Sequence, residues 1–363
     1  MILWQIFLVI IIALTIAGMV APSEAIGWWQ RRNTSLPDLS LAVQAELSHA
    51  TGVISWPSIE QACAAPALPS DPTDDFEVPM PRHPDADQEF DHYLVYLSGI
   101  GTSGPDQLPV FEIPMVDALS RRLGRTAVIW DVYPYSVENQ SLTSGRKLSV
   151  FWRRLRKAKF NRTAGRRLAS LINIRNAYQM LVSSDERYGP VFNLAVALQI
   201  AAALLRHGYV PEDGKPVTLL GWSGGGQIAA GATWYLAALG IPVRVMSMAG
   251  LISSDPGLDR AEHIWHLHGD HDKVERIGAV LFAGRWPIFR SSSWNRALTS
   301  GRMEEVSLGD LDHVGKTGYF SPTPLPDGRI PREETLNHIT SVLVKAGLAS
   351  DLGGDAFAAS PEV

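Results

Sequence analysis

The stretch PVTLLGWSGGGQIAAG, residues 216–231, constrains the fold of this chain more than any other. An apolar run, residues 217–220, enters Gly221-Trp222-Ser223-Gly224-Gly225-Gly226. It then continues with Ile228, Ala229, Ala232, Leu236 and Leu239 at helical spacing. The pattern predicts a strand that turns sharply into a helix with a serine at the corner, the setting in which G-x-S-x-G carries chemical meaning. The corner backbone is strained, so small residues must flank the serine two positions to either side, and Gly221 and Gly225 stand there. The free N–H groups at the start of the following helix point back towards the serine, where they favour negative charge.

The chain around this stretch alternates between two periodicities. Strands are predicted at His92–Leu97, 125–131, 217–220, Val243–Met248, 261–267 and 303–308, and helices at 114–123, 191–205, 225–239, 273–282 and 332–345. Strands alternating with helices predict an α/β fold, a mostly parallel doubly wound sheet with helices on both faces. The expected organisation is a transmembrane segment at 1–21 and a juxtamembrane and linker region at 22–90. The α/β domain follows at 91–346, then a disordered tail at 347–363.

Residues 1–21 carry no charged side chain, and about twenty such residues span a bilayer as a helix. A cleaved signal peptide is the alternative, with Ser23-Glu24-Ala25 as its cleavage site, but the charged leading region is missing and the apolar run is long. Trp28 and Trp29 are expected at the membrane interface. Arg31 and Arg32 follow the segment and no Lys or Arg precedes it, so the positive-inside rule points weakly to a single-pass protein with a cytoplasmic main domain. Residues 39–47 read as a short helix. Residues 56–84 hold seven prolines, and the stretch is acidic, with Asp71, Asp74, Asp75, Glu77, Asp85, Asp87 and Glu89 against Arg82, which predicts a tether or wrapping arm. A single cysteine, Cys63, rules out an intrachain disulfide and argues against a cysteine-based metal site, and it is read as inert.

One segment, at about 132–189, interrupts the alternation. It carries Arg146, Lys147, Arg153, Arg154, Arg156, Lys157, Lys159, Arg162, Arg166 and Arg167, and no acid lies between Glu138 and Asp185. Three readings stand side by side: a solvated helical surface, a face laid on anionic membrane, or a lid over the site, docked on the acidic arm. The net charge of -5 gives no support to nucleic acid as a partner.

A serine hydroxyl needs a base to take its proton and a third group to orient that base. On a parallel sheet such groups stand on loops after the strands. Two loops fit: His268-Gly269-Asp270-His271-Asp272, and Gly309-Asp310-Leu311-Asp312-His313. The chain order is then serine, acid, histidine.

Residues from about 92 to 345 resemble the α/β-hydrolase superfamily, its serine esterase and lipase-like members in particular. Gly221–Gly225 is similar to the family's nucleophile elbow, Leu97-Ser98-Gly99-Ile100 to its oxyanion turn, and His268-Gly269-x-x-Asp272 to its acid loop. The resemblance implies a triad of Ser223, Asp272 and His313, with the backbone N–H groups of Gly224 and Ile100 as oxyanion donors. Asp270 is the alternative acid. The sequence departs from the family where Ser98 replaces a usual histidine, which puts the register of Ile100 in question, and where the insertion precedes the nucleophile strand. The implied activity is hydrolysis of an ester or related acyl bond of a small-molecule or lipid substrate through an acyl-Ser223 intermediate, with no cofactor and no metal.

Two other readings remain. His266-Leu267-His268-Gly269-Asp270-His271 fits H-x-H-x-D-H, a run that holds zinc in metallo-β-lactamase-like hydrolases. The domain could also be a non-catalytic, membrane-bound binding module. Oligomeric state is not legible.

Overall fold

The computed structural model describes residues 15–32, 56, 59, 80–105, 107–143, 149–160, 166–354 and 357. Strands β1 (His92–Leu97), β3 (Thr126–Ile129), β4 (Val217–Trp222), β5 (Val243–Met248), β6 (His263–His268) and β7 (Met303–Ser307) form one sheet in the order β3-β1-β4-β5-β6-β7. Every pairing in it is parallel. The chain first winds from β1 outwards to β3. It then returns to the other side of β1 and winds through β4 to β7. The direction therefore reverses between β1 and β4, and a crevice opens outside the carboxyl ends of strands at such a point.

Both sheet faces are covered, so the inner strands read as nearly continuous apolar runs. The period of two divides their side chains between two cores. Tyr93, Val95, Leu97, Val217, Leu219, Val243 and Val245 join one core, with residues of α5 (Gly189–Arg206) and α6 (Gly224–Ala238). Leu94, Tyr96, Leu220, Trp222, Met246 and Met248 join the other, with α2 (Ile113–Arg122) and α9 (Pro331–Lys345). Each fully buried Val, Leu or Ile contributes about 1.5–3 kcal/mol. The ends of α9 follow from its sequence: Pro331 opens it, Glu333 and Glu334 occupy its first turn, and Lys345 its last.

The insertion carries α3 (Ser149–Phe160) and α4 (Arg166–Ser184). It is not a solvated appendage throughout. Tyr133, Tyr135, Val137 and Leu142 enter the core ahead of α3, and Ile172, Asn176, Gln179 and Met180 are buried along α4. Arg153 is half-buried and Arg154 exposed; Arg146, Lys147 and Arg162 lie outside the described residues, as do the side chains of Arg156, Lys157, Lys159, Arg166 and Arg167.

The amino-terminal region also differs from expectation. Helix α1 (Ser23–Arg32) lies against the domain, where Ala25, Trp28 and Trp29 are buried. The two tryptophans are therefore core residues, not an interfacial belt. Residues 15–20 are helical, with Ile16, Met19 and Val20 exposed, while residues 1–14 of the expected membrane span lie outside the described residues. The described helix long and apolar enough to cross a membrane is α5, and two thirds of it is buried as a core helix. The expected short helix at 39–47, Cys63 and most of the acidic arm fall outside the described residues. In the stretch expected to be a disordered tail, Ser350–Asp351 forms β8, antiparallel to β2 (Leu123–Gly124), with Asp351 paired to Arg122 at 2.9 Å.

Candidate active site

Ser223 stands between β4 and α6 with φ 52° and ψ -119°, a left-handed conformation that few non-glycine residues adopt. Its N–H is held by the Met248 carbonyl at 3.0 Å, so β5 props the turn from one side. A Cβ on Gly221 would lie 2.5 Å from the Gly225 carbonyl oxygen, and one on Gly225 2.2 Å from that of Leu97. Both glycines are thus required by close approach of backbone. The first N–H groups of α6 have no carbonyl four residues earlier in the helix to bond. The side chain of Ile100 lies against this turn, since a Cβ on Gly224 would meet Ile100 Cγ2 at 2.8 Å. The loops after β1 and β4 therefore meet at the sheet's reversal point.

His313, from the loop after β7, reaches the same place. Its Nε2 is 2.9 Å from Ser223 Oγ, and its Nδ1 is 2.9 Å and 3.2 Å from the two carboxylate oxygens of Asp272. A carboxylate has only acceptors, so Nδ1 carries the proton and Nε2 is left to accept from the serine hydroxyl. Asp272 caps α7 (Lys273–Leu281), accepting from the N–H groups of Val274 at 2.8 Å and Glu275 at 3.0 Å. Burial would raise its carboxyl, but the hydrogen bond and charge of His313, the Glu275 N–H and the Tyr319 hydroxyl outweigh this and hold it below the ordinary value. Asp272 is fully buried, whereas Asp270 is exposed and accepts from Ser307 Oγ at 2.9 Å. Of the two acids, the histidine faces Asp272.

Several side chains around the three were not singled out from the sequence. Trp222 stacks on the His313 ring with centroids 4.6 Å apart, restricting its rotation. The Tyr319 hydroxyl donates to Asp272 Oδ2 at 2.8 Å and accepts from Gly269 N–H at 2.6 Å. The loop carrying Ile100 is anchored on every side. Ser98 Oγ donates to the buried Glu112 at 2.7 Å, and Tyr135 donates to the Ser98 carbonyl at 3.0 Å. Asn176 Nδ2 donates to the carbonyls of Ile100 at 2.9 Å and Thr102 at 2.7 Å. Arg175 beside it donates to the Tyr135 carbonyl at 2.5 Å and pairs with Glu24 of α1 at 2.7 Å. The only signals for these residues were polar or aromatic types within otherwise apolar stretches.

The histidine run is dispersed by its environment. Both ring nitrogens of His266 are engaged, Nδ1 with Ser247 at 3.2 Å and Nε2 with Glu275 at 3.1 Å, and burial holds this imidazole below its ordinary value. His271 is exposed, 3.8 Å from Asp310. Among the described residues, a cluster with ligand atoms close enough to share a cation is His83, Asp131 and His207, all within 4.8 Å. There Asp131 Oδ2 already accepts from Arg206 at 3.0 Å and His207 at 3.1 Å, and the guanidinium opposes a second positive charge.

A scan of protein-family models and a search of curated proteins each returned no match to this chain.

Proposed function

We propose that the chain is a membrane-associated serine hydrolase of the α/β-hydrolase kind, acting on an ester or related acyl bond of a small-molecule or lipid substrate. The observation that carries this reading is His313 bridging Ser223 and Asp272, with 2.9 Å on each side. Ser223 Oγ attacks the acyl carbon while its proton passes to His313 Nε2. The carbonyl oxygen gains the negative charge, which the N–H groups of Gly224 and Ile100 receive. One such donor is worth about 2.7–4 kcal/mol of transition-state stabilisation. The leaving group takes the proton from His313 as the carbon–oxygen bond breaks, and an acyl-Ser223 remains. Water then attacks by the same route, releasing acid and restoring the serine. Asp272 keeps its charge throughout and steadies the imidazolium.

Membrane association rests on the apolar segment 1–21 and on the exposed Ile16, Met19 and Val20 in the helical turns that precede α1. The test of the chemistry is Ser223→Ala in the full chain. Hydrolysis of a short activated ester and labelling by a fluorophosphonate should both disappear while the circular dichroism spectrum is kept. Ester hydrolysis that survives the substitution overturns the reading. A folded wild-type protein that neither labels nor turns over would instead favour a non-catalytic binding module.

A further inference from the structure

Helix α7 has an inner and an outer side of opposite character. Inside, Glu275 pairs with Arg285 at 2.5 Å and with His266 at 3.1 Å, and the Arg285 guanidinium lies 3.9 Å from the centre of the ring of Trp294, in α8 (Ser293–Thr299). This buried knot ties the helix and the turn after it to the body. Outside, Ile277 and Val280 are 58% and 72% exposed, and Leu281, Trp286, Ile288 and Phe289 are exposed beside them. Trp286 Nε1 donates to the Ala279 carbonyl at 3.1 Å, which brings the turn alongside the helix. Single exposed apolar residues are ordinary, but a run of large ones on a rigid platform marks a contact site.

The charge around this face is mostly positive, with the exposed Asp270, whose backbone carbonyl accepts from Arg276, at the end of α7 nearest the site. The exposed ionisable residues from 273 to 292 are Lys273, Arg276 and Arg290, while the acid of this span, Glu275, is buried and paired with Arg285. Apolar tips that include Trp and Phe, bordered by Lys and Arg, suit the boundary between acyl chains and anionic headgroups. A second copy of this chain fits less well, because a two-fold contact sets like charge against like.

We infer that the outer face of α7 and the turn at 286–289 is a docking surface for an anionic lipid bilayer. The face begins at the site itself, since the acid Asp272 caps the same helix. Bound lipid would hold α7 and orient the domain on the membrane. The inference does not depend on the serine chemistry.

The test uses the full chain with Cys63→Ser, reconstituted in vesicles of equal parts phosphatidylserine and phosphatidylcholine. An environment-sensitive fluorophore is placed at Ile288→Cys, or at Lys345→Cys at the end of α9 as the control. Ile288 is 76% exposed, so the label leaves the core untouched, and an unchanged melting temperature checks this. The expected result is a blue shift and quenching by spin-labelled lipid at 288 only. Both should be lost when Lys273, Arg276 and Arg290 are changed together to Gln, and in vesicles of phosphatidylcholine alone. Equal quenching at the two positions, or at 288 in both vesicle types, overturns the inference. So does sedimentation in detergent showing a dimer that Ile288→Asp dissociates. Loss of Ser223 activity changes none of these readouts, so failure of the hydrolase reading is distinguishable.

Discussion

Asn176, buried in α4, donates its side-chain amide to the carbonyl oxygens of both Ile100 and Thr102, at 2.9 Å and 2.7 Å. The inserted helix therefore holds the loop after β1 from above, 76 residues away in the chain. Arg175 continues the connection to Tyr135 and to Glu24 in α1, so the amino-terminal helix and the site share one polar network.

Substitution Asn176→Ala should leave the buried Thr102 carbonyl and the half-buried Ile100 carbonyl without their donor, costing about 1–3 kcal/mol of stability. The loop at Ile100 would lose its register with Gly224. If the Ile100 N–H is an oxyanion donor, as the proposed hydrolase reading has it, turnover of a short activated ester should fall by roughly 10²-fold. Steady-state kinetics beside a thermal melt will separate the two effects. A stability loss with unchanged turnover shows that the loop keeps its position without Asn176.

The two acids of the 268–272 loop should behave very differently. Asp272→Asn takes away the carboxylate that holds the proton on His313 Nδ1, and turnover should drop by about 10⁴-fold, the scale of a wrong tautomer. Asp270→Asn should stay near wild type, because its partner is Ser307 on the surface. Parallel assays of the two variants decide the matter, and comparable losses would refute the assignment.

Tyr319→Phe removes one hydrogen bond to Asp272 and leaves the Gly269 N–H without its acceptor. The expected cost is about 1–3 kcal/mol of stability. Tyr319 is also one of the groups that hold the Asp272 carboxyl low, so the variant should need a higher pH to keep this carboxylate ionised. Stability from a depressed carboxyl is present above its unfolded value and lost as pH falls through its folded one. The acid edge of stability should thus move upward, as urea titrations of the two proteins across the acid range would report.

Asp255 responds to pH in the opposite direction. Burial pushes its carboxyl up to about 6, against the lowering effect of bonds from Gly257 N–H and Gln227 Nε2. Between the unfolded value near pH 4 and this one, the folded protein binds more protons than the unfolded chain. This contribution is complete below about pH 4 and declines as pH rises, by up to about 3 kcal/mol. The difference in unfolding free energy between wild type and Asp255→Asn should change by that amount between about pH 4 and about pH 7. A constant difference would mean that Asp255 is ionised in the fold at all these values.

Much of the site was legible because its signals are local. Gly221 and Gly225 announce a backbone that passes too close to itself for a side chain, and the switch from period two to period 3.6 at Ser223 marks strand and helix. The insertion was harder to read. Its charges suggested a surface, yet Asn176 and Met180 stand in α4 with nothing beside them in sequence to reveal their contacts. Trp28 and Trp29 looked interfacial because aromatic residues next to an apolar segment satisfy a membrane interface and a protein core equally well.

By itself the sequence determined an alternation of strands and helices and a serine at one sharp corner, because periodicity and glycine sterics act over a few residues. Only the tertiary structure decided which side chains meet that serine. His313 is 90 residues from Ser223, and Asp272 is 41 from His313. Neither separation carries information until the sheet order places the loops after β4, β6 and β7 along one edge. There a two-residue difference, Asp270 against Asp272, selects between a surface hydrogen bond and the buried partner of the histidine.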